Sequence, residues 1–235
     1  MKFGVLIFPG SNCDRDMLHV LENVMEQEVH PIWHKNTELE GFGEGDCLFL
    51  PGGFSYGDYL RPGAIAQFAP IMRSVTEFAN AGGLVWGICN GFQILCENGL
   101  LPGALVQNAQ RKFVCKNVYL RCETANSAIT GLMSEGEVMK IPIAHADGRF
   151  LTDEVTHQSL IQNGQILFRY CHEDGTVDQD SNPNGTLDNI AGICNENRNV
   201  FGMMPHPERA SEVDLGNVDG RKMFESVLRY SAIPA

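Results

Sequence analysis

The sequence contains no long apolar run. No uninterrupted stretch approaches the roughly 18 apolar residues that a membrane-spanning helix requires, so we predict no membrane span and no membrane partner. The first nine residues, MKFGVLIFP, hold one lysine and no small-residue cleavage pattern. They are typical of a strand rather than a signal peptide. We therefore expect a cytoplasmic protein.

Positive charge is also scarce. Lysine and arginine total 17, aspartate and glutamate total 29, and the formal net charge is −12. Nucleic-acid binding depends on clusters of basic side chains that neutralise phosphates. The balance therefore argues against a nucleic-acid partner, and the acidity itself favours solubility.

Common cofactor motifs are missing. The eight cysteines form no C-x-x-C pair and no Cys/His spacing of zinc type, so we expect no metal site and thiols that stay reduced. The chain has no G-x-x-x-x-G-K-[ST] phosphate loop. We therefore expect no cofactor in this chain, and any chemistry that needs ATP must be carried by another protein.

The first 100 residues alternate between apolar runs and amphipathic stretches. The runs are typical of strands covered on both faces, and they span Lys2–Phe8, Val29–Trp33, Asp46–Gly53 and Leu84–Ile88. Helical periodicity follows several of them, and Pro70 is expected to kink or delay the helix before the fourth run. This order predicts an α/β fold with a mostly parallel sheet and helices on both faces.

The pattern changes after about Gly103. Strand-like segments follow one another without long helices between them, which indicates an additional antiparallel section. Residues 190–209 are typical of a hairpin, and residues 219–230 of a closing helix. No linker or repeat marks a boundary, so we predict a single domain over residues 1–235.

The pentapeptide Gly87-Ile88-Cys89-Asn90-Gly91 ends the fourth apolar run. It has the form of the G-x-S-x-G nucleophile elbow, with cysteine in place of serine. The glycines permit a sharp strand-to-helix turn that would present the sulfur at a helix N-terminus, where a thiolate is favoured. The alternative is that Cys89 is a small buried apolar residue. Gln93 lies one helical turn further, where its amide could meet a polar substrate or simply face solvent.

A thiol nucleophile requires a base, and His206 has the most suggestive neighbours of the seven histidines. Prolines flank it, and Glu208 follows two positions later, on the same face if the segment is extended. Glu208 could then hold one imidazole tautomer. The alternative is an ordinary loop histidine. His145 is the main competing base, whereas His157 and His172 have no acid arranged in this way.

Attack on an amide carbonyl creates a negative oxygen that hydrogen-bond donors must stabilise. The main-chain N–H of Asn90, directly after the cysteine, is one candidate donor. Gly52 and Gly53 follow the third strand, and glycine lets the backbone turn an N–H inward without a side chain in the way. The alternative is that Pro-Gly-Gly is an ordinary tight turn.

Together these segments resemble the class I, or triad, glutamine amidotransferases. The markers are Pro-Gly-Gly after the third strand, Gly-x-Cys-x-Gly followed by Gln93, and His-Pro-Glu near the C-terminus. Within that family, the chain resembles the glutaminase subunits of phosphoribosylformylglycinamidine synthases over essentially its whole length. The segments that carry this closer resemblance are FPGSNCDRD, GGFSYGDYLRPGAIA, CNGFQIL, PIAHADGRF and MMPHPER.

The resemblance implies a flavodoxin-like glutaminase fold and a catalytic triad. Cys89 would be the nucleophile, His206 the base and Glu208 the acid that orients it. The reaction would be hydrolysis of glutamine to glutamate and ammonia through a cysteinyl thioester.

The same resemblance implies which residues surround the substrate. The main-chain N–H groups of Gly53 and Asn90 would form the oxyanion hole. Gly52 and Gln93 would belong to the glutamine-binding pocket.

Partners are implied as well. Ammonia would pass to a synthetase subunit, which would use ATP and Mg²⁺ to convert formylglycinamide ribonucleotide to its amidine in purine biosynthesis. A small accessory subunit would complete the assembly.

Two other functions stay open from the residues alone. The same nucleophile frame serves γ-glutamyl hydrolases and cysteine peptidases, and a non-catalytic regulatory partner could have kept the fold. The chain also departs from the family at HADGRF, where HGEGRF or a close variant is expected. His145 and Arg149 of this segment could therefore serve either the glutamine pocket or the partner interface.

Overall fold

A computed structural model describes residues 1–231. Nine of its strands form one sheet in the order β2-β1-β3-β4-β11-β10-β9-β6-β7, and β5 pairs with β8 separately. The strands are β1 (Phe3–Ile7), β2 (Val29–Trp33), β3 (Cys47–Leu50), β4 (Leu84–Ile88), β5 (Ala104–Val106), β6 (Val114–Cys122), β7 (Val138–His145), β8 (Arg149–Leu151), β9 (Ile166–Cys171), β10 (Ile190–Cys194) and β11 (Val200–Met203).

The first five strands of this order are parallel. Strands β1, β3 and β4 are buried along almost their whole length, as expected for strands with helices on both faces. Strand β11 comes from near the C-terminus and joins β4 in parallel. The α/β fold with a parallel core is therefore confirmed.

The antiparallel section continues the same sheet. Strand β10 pairs with β11 as the predicted hairpin, and β9, β6 and β7 extend the sheet by antiparallel pairing. The section is thus neither a separate layer nor a separate core. It brings the end of β7 close to the segment that follows β11, since His206 N donates to Pro142 O at 2.8 Å.

Five α-helices accompany the sheet within residues 1–231. They are α1 (Asp14–His19), α2 (Ile71–Asn80), α3 (Asn90–Glu97), α4 (Glu154–Gln162) and α5 (Arg221–Ser231). Helix α1 continues into a wider turn over Val20–Val24. Helix α2 begins directly after Pro70, so the proline delays the helix rather than kinking it.

Helix α4 is absent from the sequence-based interpretation, which placed no helix between Gly103 and the closing helix at residues 219–230. The side chain of Asp153 caps it by accepting from Thr156 N at 2.9 Å. Only Leu160 of this helix is buried, so the apolar periodicity that signals a helix is weak here.

The core beneath α5 is aromatic. The fully buried rings of Phe49, Trp86 and Phe224 lie with their centroids 5.2–6.2 Å apart. Burying each large side chain contributes on the order of 1.5–3 kcal/mol. The contact fixes α5 against β3 and β4, the strands that lead into the candidate site.

None of the helices in residues 1–231 combines the length and apolar character needed to cross a bilayer. All eight cysteines are free thiols.

Candidate active site

The three predicted site segments meet because their strands are neighbours. Strand β4 lies between β3 and β11, with Leu50 paired to Gly87 and Met203 paired to Ile88. The loops that leave these parallel strands therefore emerge at one edge of the sheet. This edge is the usual ligand-binding position in α/β folds.

Cys89 occupies the tight turn between β4 and α3. Its backbone has φ 52° and ψ −106°, the strained conformation expected of a nucleophile elbow. A Cβ on Gly91 would lie 1.8 Å from Leu50 O, and one on Gly87 would lie 2.6 Å from the Gly91 backbone. The turn can form only because both positions are glycine.

The sulfur lies at a small cavity of about 200 Å³. Cys89 is only 5% exposed, and its Sγ lies 3.9 Å from Ala144 O. The cavity is lined by Gly53, Gln93 and His206 together with residues of the loop after β7. A larger groove of about 640 Å³ beside Lys2 holds none of the predicted site residues.

His206 and Glu208 form a buried pair. His206 Nδ1 lies 2.6 Å from Glu208 Oε1, and both side chains are almost fully enclosed. The expectation of an extended segment was wrong, because Pro207–Arg209 form one 3-10 turn. This turn, rather than strand alternation, brings the carboxylate back onto the ring.

The charges around His206 favour its protonated form. Burial lowers the pKa of His206, but the negative charges of Glu208 and Cys89 more than offset this and raise the pKa above its ordinary value. Nε2 is buried and makes no hydrogen bond of ordinary geometry within residues 1–231. With Nδ1 on Glu208, Nε2 is the nitrogen left to exchange a proton at the cavity.

Two main-chain N–H groups are available beside the sulfur. Neither Gly53 N nor Asn90 N donates to an acceptor in the described part of the chain, and Asn90 is the first residue of α3. Gly53 has φ +128°, a conformation that side chains rarely adopt. A Cβ on Gly52 would lie 2.8 Å from His206 Cε1 and 3.3 Å from Cys89 Cβ, so this glycine permits the close approach of base and nucleophile.

Gln93 lines the cavity, but its amide is already used within the protein. Its Nε2 donates to Asp147 O at 2.6 Å, and its Oε1 accepts from Asn90 Nδ2 at 2.9 Å. The same Asn90 Nδ2 also contacts Asp58 Oδ1 at 3.3 Å. Gln93 therefore holds the wall of the cavity in shape, and it does not face solvent.

His145 lies beside the catalytic pair rather than within it. Its Nδ1 lies 3.1 Å from Asn108 Oδ1, and its Nε2 is buried without a partner in residues 1–231. Burial and the nearby charge of His206 lower the pKa of His145 to about 4. A neutral imidazole with a lowered pKa and no acid partner is less suited than His206 to serve as the catalytic base.

Arg149 is turned away from the cavity. Its Nε donates to Gly185 O at 2.8 Å, which ties the strand after the HADGRF turn to a neighbouring loop. His157 and His172, for which the sequence shows no acid arranged as Glu208 is, do have acid partners. His157 pairs with Asp188 and His172 with Asp178, but none of these residues lines the cavity.

Sequence reasoning missed Cys13 and Arg209. Both line the cavity, and Arg209 Nη2 donates to Cys13 Sγ at 2.9 Å while its Nε pairs with Asp16 at 3.0 Å. Ligand atoms of Cys13, His206 and Glu208 lie within 4.8 Å of one another, but the guanidinium beside the sulfur opposes a cation there. The motif FPGSNCDRD was the available signal, since it places a second cysteine in the loop between β1 and α1, directly before α1.

Comparison with known proteins agrees with this geometry. The family model of the CobB/CobQ-like glutamine amidotransferase domain matches residues 1–228. The phosphoribosylformylglycinamidine synthase subunit PurQ of Alkaliphilus metalliredigens is 56% identical, over 98% of this chain and 96% of that protein. The PurQ subunit of Koribacter versatilis is 54% identical, over 97% of each chain.

Solved structures show the same relationship. A chain of the structure of PurLQS from Thermotoga maritima matches with a TM-score of 0.84 and 43% identity, over 97% of this chain and 98% of that one. A glutamine amidotransferase of Thermotoga maritima, at 13% identity and a TM-score of 0.59, shares the fold. This chain therefore belongs to the CobB/CobQ-like glutamine amidotransferase family and, within it, to the family of phosphoribosylformylglycinamidine synthase subunits.

Proposed function

We propose that the chain is the glutaminase subunit of phosphoribosylformylglycinamidine synthase. It hydrolyses glutamine and supplies ammonia to a synthetase that converts formylglycinamide ribonucleotide to its amidine in purine biosynthesis. The observation that carries the proposal is the elbow at Cys89 directly beside the buried His206–Glu208 pair. Relatives more than 50% identical over nearly the whole chain bear the name of this synthase.

The first half of the reaction is attack on the amide. The Cys89 thiolate forms a bond to the side-chain carbonyl carbon of glutamine, and the carbonyl electron pair moves to oxygen. The N–H groups of Gly53 and Asn90 are free to stabilise that oxyanion, and each donor lowers the barrier by about 2.7–4 kcal/mol. His206 then gives its Nε2 proton to the departing nitrogen, which leaves as ammonia, and a thioester remains.

The second half regenerates the enzyme. His206, now neutral, takes a proton from water as the water oxygen attacks the thioester. The tetrahedral intermediate collapses, and the carbon–sulfur bond breaks to regenerate the Cys89 thiolate. The new carboxyl group, which holds the second proton of the water, loses it to solvent as glutamate leaves. Glu208 stabilises the imidazolium that exists at the start and end of this cycle.

The cavity argues against the alternatives with larger substrates. A volume of about 200 Å³ suits one amino acid better than a peptide or a polyglutamyl chain. A purely regulatory role would not require a strained cysteine, whose conformation costs on the order of 1–3 kcal/mol.

We place the synthetase at the mouth of the cavity. Phe54 and Phe113 line it and are about half exposed. Tyr59 and Leu60, which lie in the chain between the lining residues Asp58 and Pro62, are 72% and 81% exposed. Exposed apolar side chains around a site are typical of a docking surface. Docking here would keep ammonia out of bulk water, where most of it would be protonated and no longer nucleophilic.

The rest of the proposed assembly lies outside this chain. The synthetase binds and uses ATP and Mg²⁺. A small accessory subunit joins the complex, and the complex works in the cytoplasm. The similar solved chain belongs to a structure named PurLQS, which supports an assembly of several subunits.

The direct test is covalent trapping. A glutamine analogue with a diazoketone in place of the amide should label Cys89 alone among the eight cysteines, as read by mass spectrometry of the digested protein. Excess glutamine should protect it. Labelling of Cys13, or equal labelling of several cysteines, would contradict the proposal.

A further inference from the structure

Two carboxylates share one wall of the catalytic cavity. Asp58 follows the Pro-Gly-Gly turn after β3, and Asp147 lies in the HADGRF turn between β7 and β8. Both line the same cavity as Cys89, and both are half-buried. None of the catalytic steps above uses either side chain.

Neither carboxylate has a cation beside it. Within residues 1–231, no lysine, arginine or histidine forms an ion pair with Asp58 or Asp147. The cations that line the cavity are paired elsewhere, Arg209 with Asp16 and protonated His206 with Glu208. Burial and the charge of Asp147 raise the pKa of Asp58 to about 6, and burial also raises the pKa of Asp147. The charge of Asp147 thus disfavours the ionised form of Asp58, and a positive group between the two carboxyl groups would favour it.

The pair is held rigidly to the nucleophile's helix. Asn90, the residue after Cys89, contacts Asp58 Oδ1 through Nδ2 and accepts from Ser55 N at 3.1 Å through Oδ1. Gln93 is hydrogen-bonded both to Asn90 and to the Asp147 carbonyl. A group bound by the carboxylates is therefore placed at a fixed distance from the sulfur.

We propose that Asp58 and Asp147 bind the α-ammonium group of the substrate. The inference rests on the proposed glutaminase function, since glutamine carries that cation four bonds from the amide carbon that Cys89 attacks. The carboxylates are specificity-determining residues: they position the substrate and reject amides that lack the ammonium group. A basic side chain of the synthetase is the competing occupant, and the test separates it from the substrate.

The variants Asp58→Asn and Asp147→Asn remove charge with little change of shape. Asp58 has φ 53°, and asparagine is among the residues that adopt this conformation most readily. Its amide oxygen can still accept from Asn90. The Asp147 main-chain contact to Gln93 does not depend on the side chain. Asp180→Asn, at an exposed loop aspartate outside the cavity, is the matched control.

Binding is measured by calorimetry on the complex with the synthetase, in a Cys89→Ala background that prevents turnover. The probes are L-glutamine and glutaramate, which is glutamine without its α-amino group. The parent should bind glutamine at least about tenfold more tightly than glutaramate, as expected for a charge-assisted contact. Asp58→Asn and Asp147→Asn should each lose most of this preference, while their affinity for glutaramate stays unchanged. Asp180→Asn should bind both probes as the parent does.

Three results would overturn the assignment. The first is unchanged glutamine affinity in both variants, and the second is an equal loss of affinity for glutamine and for glutaramate. The third is a retained preference for glutamine together with weaker binding of the synthetase, which would indicate that a synthetase side chain occupies the site. The proposed function is tested separately, by turnover in the complex with intact Cys89. Glutamine binding without hydrolysis would refute the reaction and leave the ammonium site standing.

Discussion

His206 Nδ1 lies 2.6 Å from Glu208 Oε1 inside the protein, and a single turn of 3-10 helix sets that distance. The carboxylate keeps the ring protonated and fixes its orientation, so Nε2 alone is left for the chemistry at Cys89.

Replacing Glu208 with glutamine should therefore remove most of the glutaminase activity. The neutral amide cannot stabilise the imidazolium, and it can hold the ring in the wrong tautomer, so kcat with glutamine should fall by roughly 10²–10⁴. Synthesis from added ammonium should persist, because it bypasses this site. Glu212→Gln is the control, since Glu212 pairs with the exposed His19 at 2.9 Å. Equal losses in the two variants would contradict a catalytic role for Glu208.

Gly52→Ala should damage catalysis by displacing His206. The added methyl would lie 2.8 Å from the ring and must push it away from Cys89. We expect at least about a tenfold loss of glutamine-dependent kcat, with roughly 1–3 kcal/mol of destabilisation from overpacking. Gly43→Ala adds the same methyl where nothing lies within 4 Å, so it should be neutral in both assays. Full activity in Gly52→Ala would show that the close approach is unnecessary.

His145 should make the protein less stable in mild acid. Its folded-state pKa is lowered by burial and by the charge of His206, so the unfolded chain binds its proton first as the pH falls. The stability it contributes is complete above about pH 6.5, its ordinary pKa, and is lost as the pH falls towards about 4. The full loss is on the order of 3 kcal/mol.

Urea unfolding of the wild type and of His145→Gln at several pH values measures this effect. The variant should lose less stability between pH 7 and pH 5 than the wild type. Identical slopes in the two proteins would mean that His145 does not titrate as described.

Leu60→Asp should weaken the complex with the synthetase. Leu60 is 81% exposed and lies in the chain between Asp58 and Pro62, which both line the cavity, so its replacement should leave the stability of the lone chain unchanged. Val155→Asp, at an equally exposed position on α4, is the matched control and should bind normally. Analytical ultracentrifugation of each variant mixed with the synthetase measures how much complex forms. Equal binding by both variants would move the docking surface away from this rim.

The sequence was most informative where the chemistry is local. Glycines two residues either side of Cys89 predicted its strained turn, because a clash with a Cβ is a short-range effect. The pairing of His206 with Glu208 was also predicted, although through the wrong backbone geometry.

The sequence was least informative where distant loops combine. Asp58 and Asp147 are far apart along the chain, and nothing in either neighbourhood predicts a shared wall. Cys13 reaches the cavity only because β1 lies next to β3. Helix α4 was missed because it buries a single side chain, Leu160, and therefore lacks apolar periodicity.

The central claim is that ammonia is released at Cys89 and used elsewhere. The direct measurement is amidine synthesis by the reconstituted complex carrying Cys89→Ala, assayed in parallel with glutamine and with an ammonium salt. We predict that synthesis with glutamine is abolished and that synthesis with ammonium matches the wild type. Loss of both activities, or retention of both, would contradict the account.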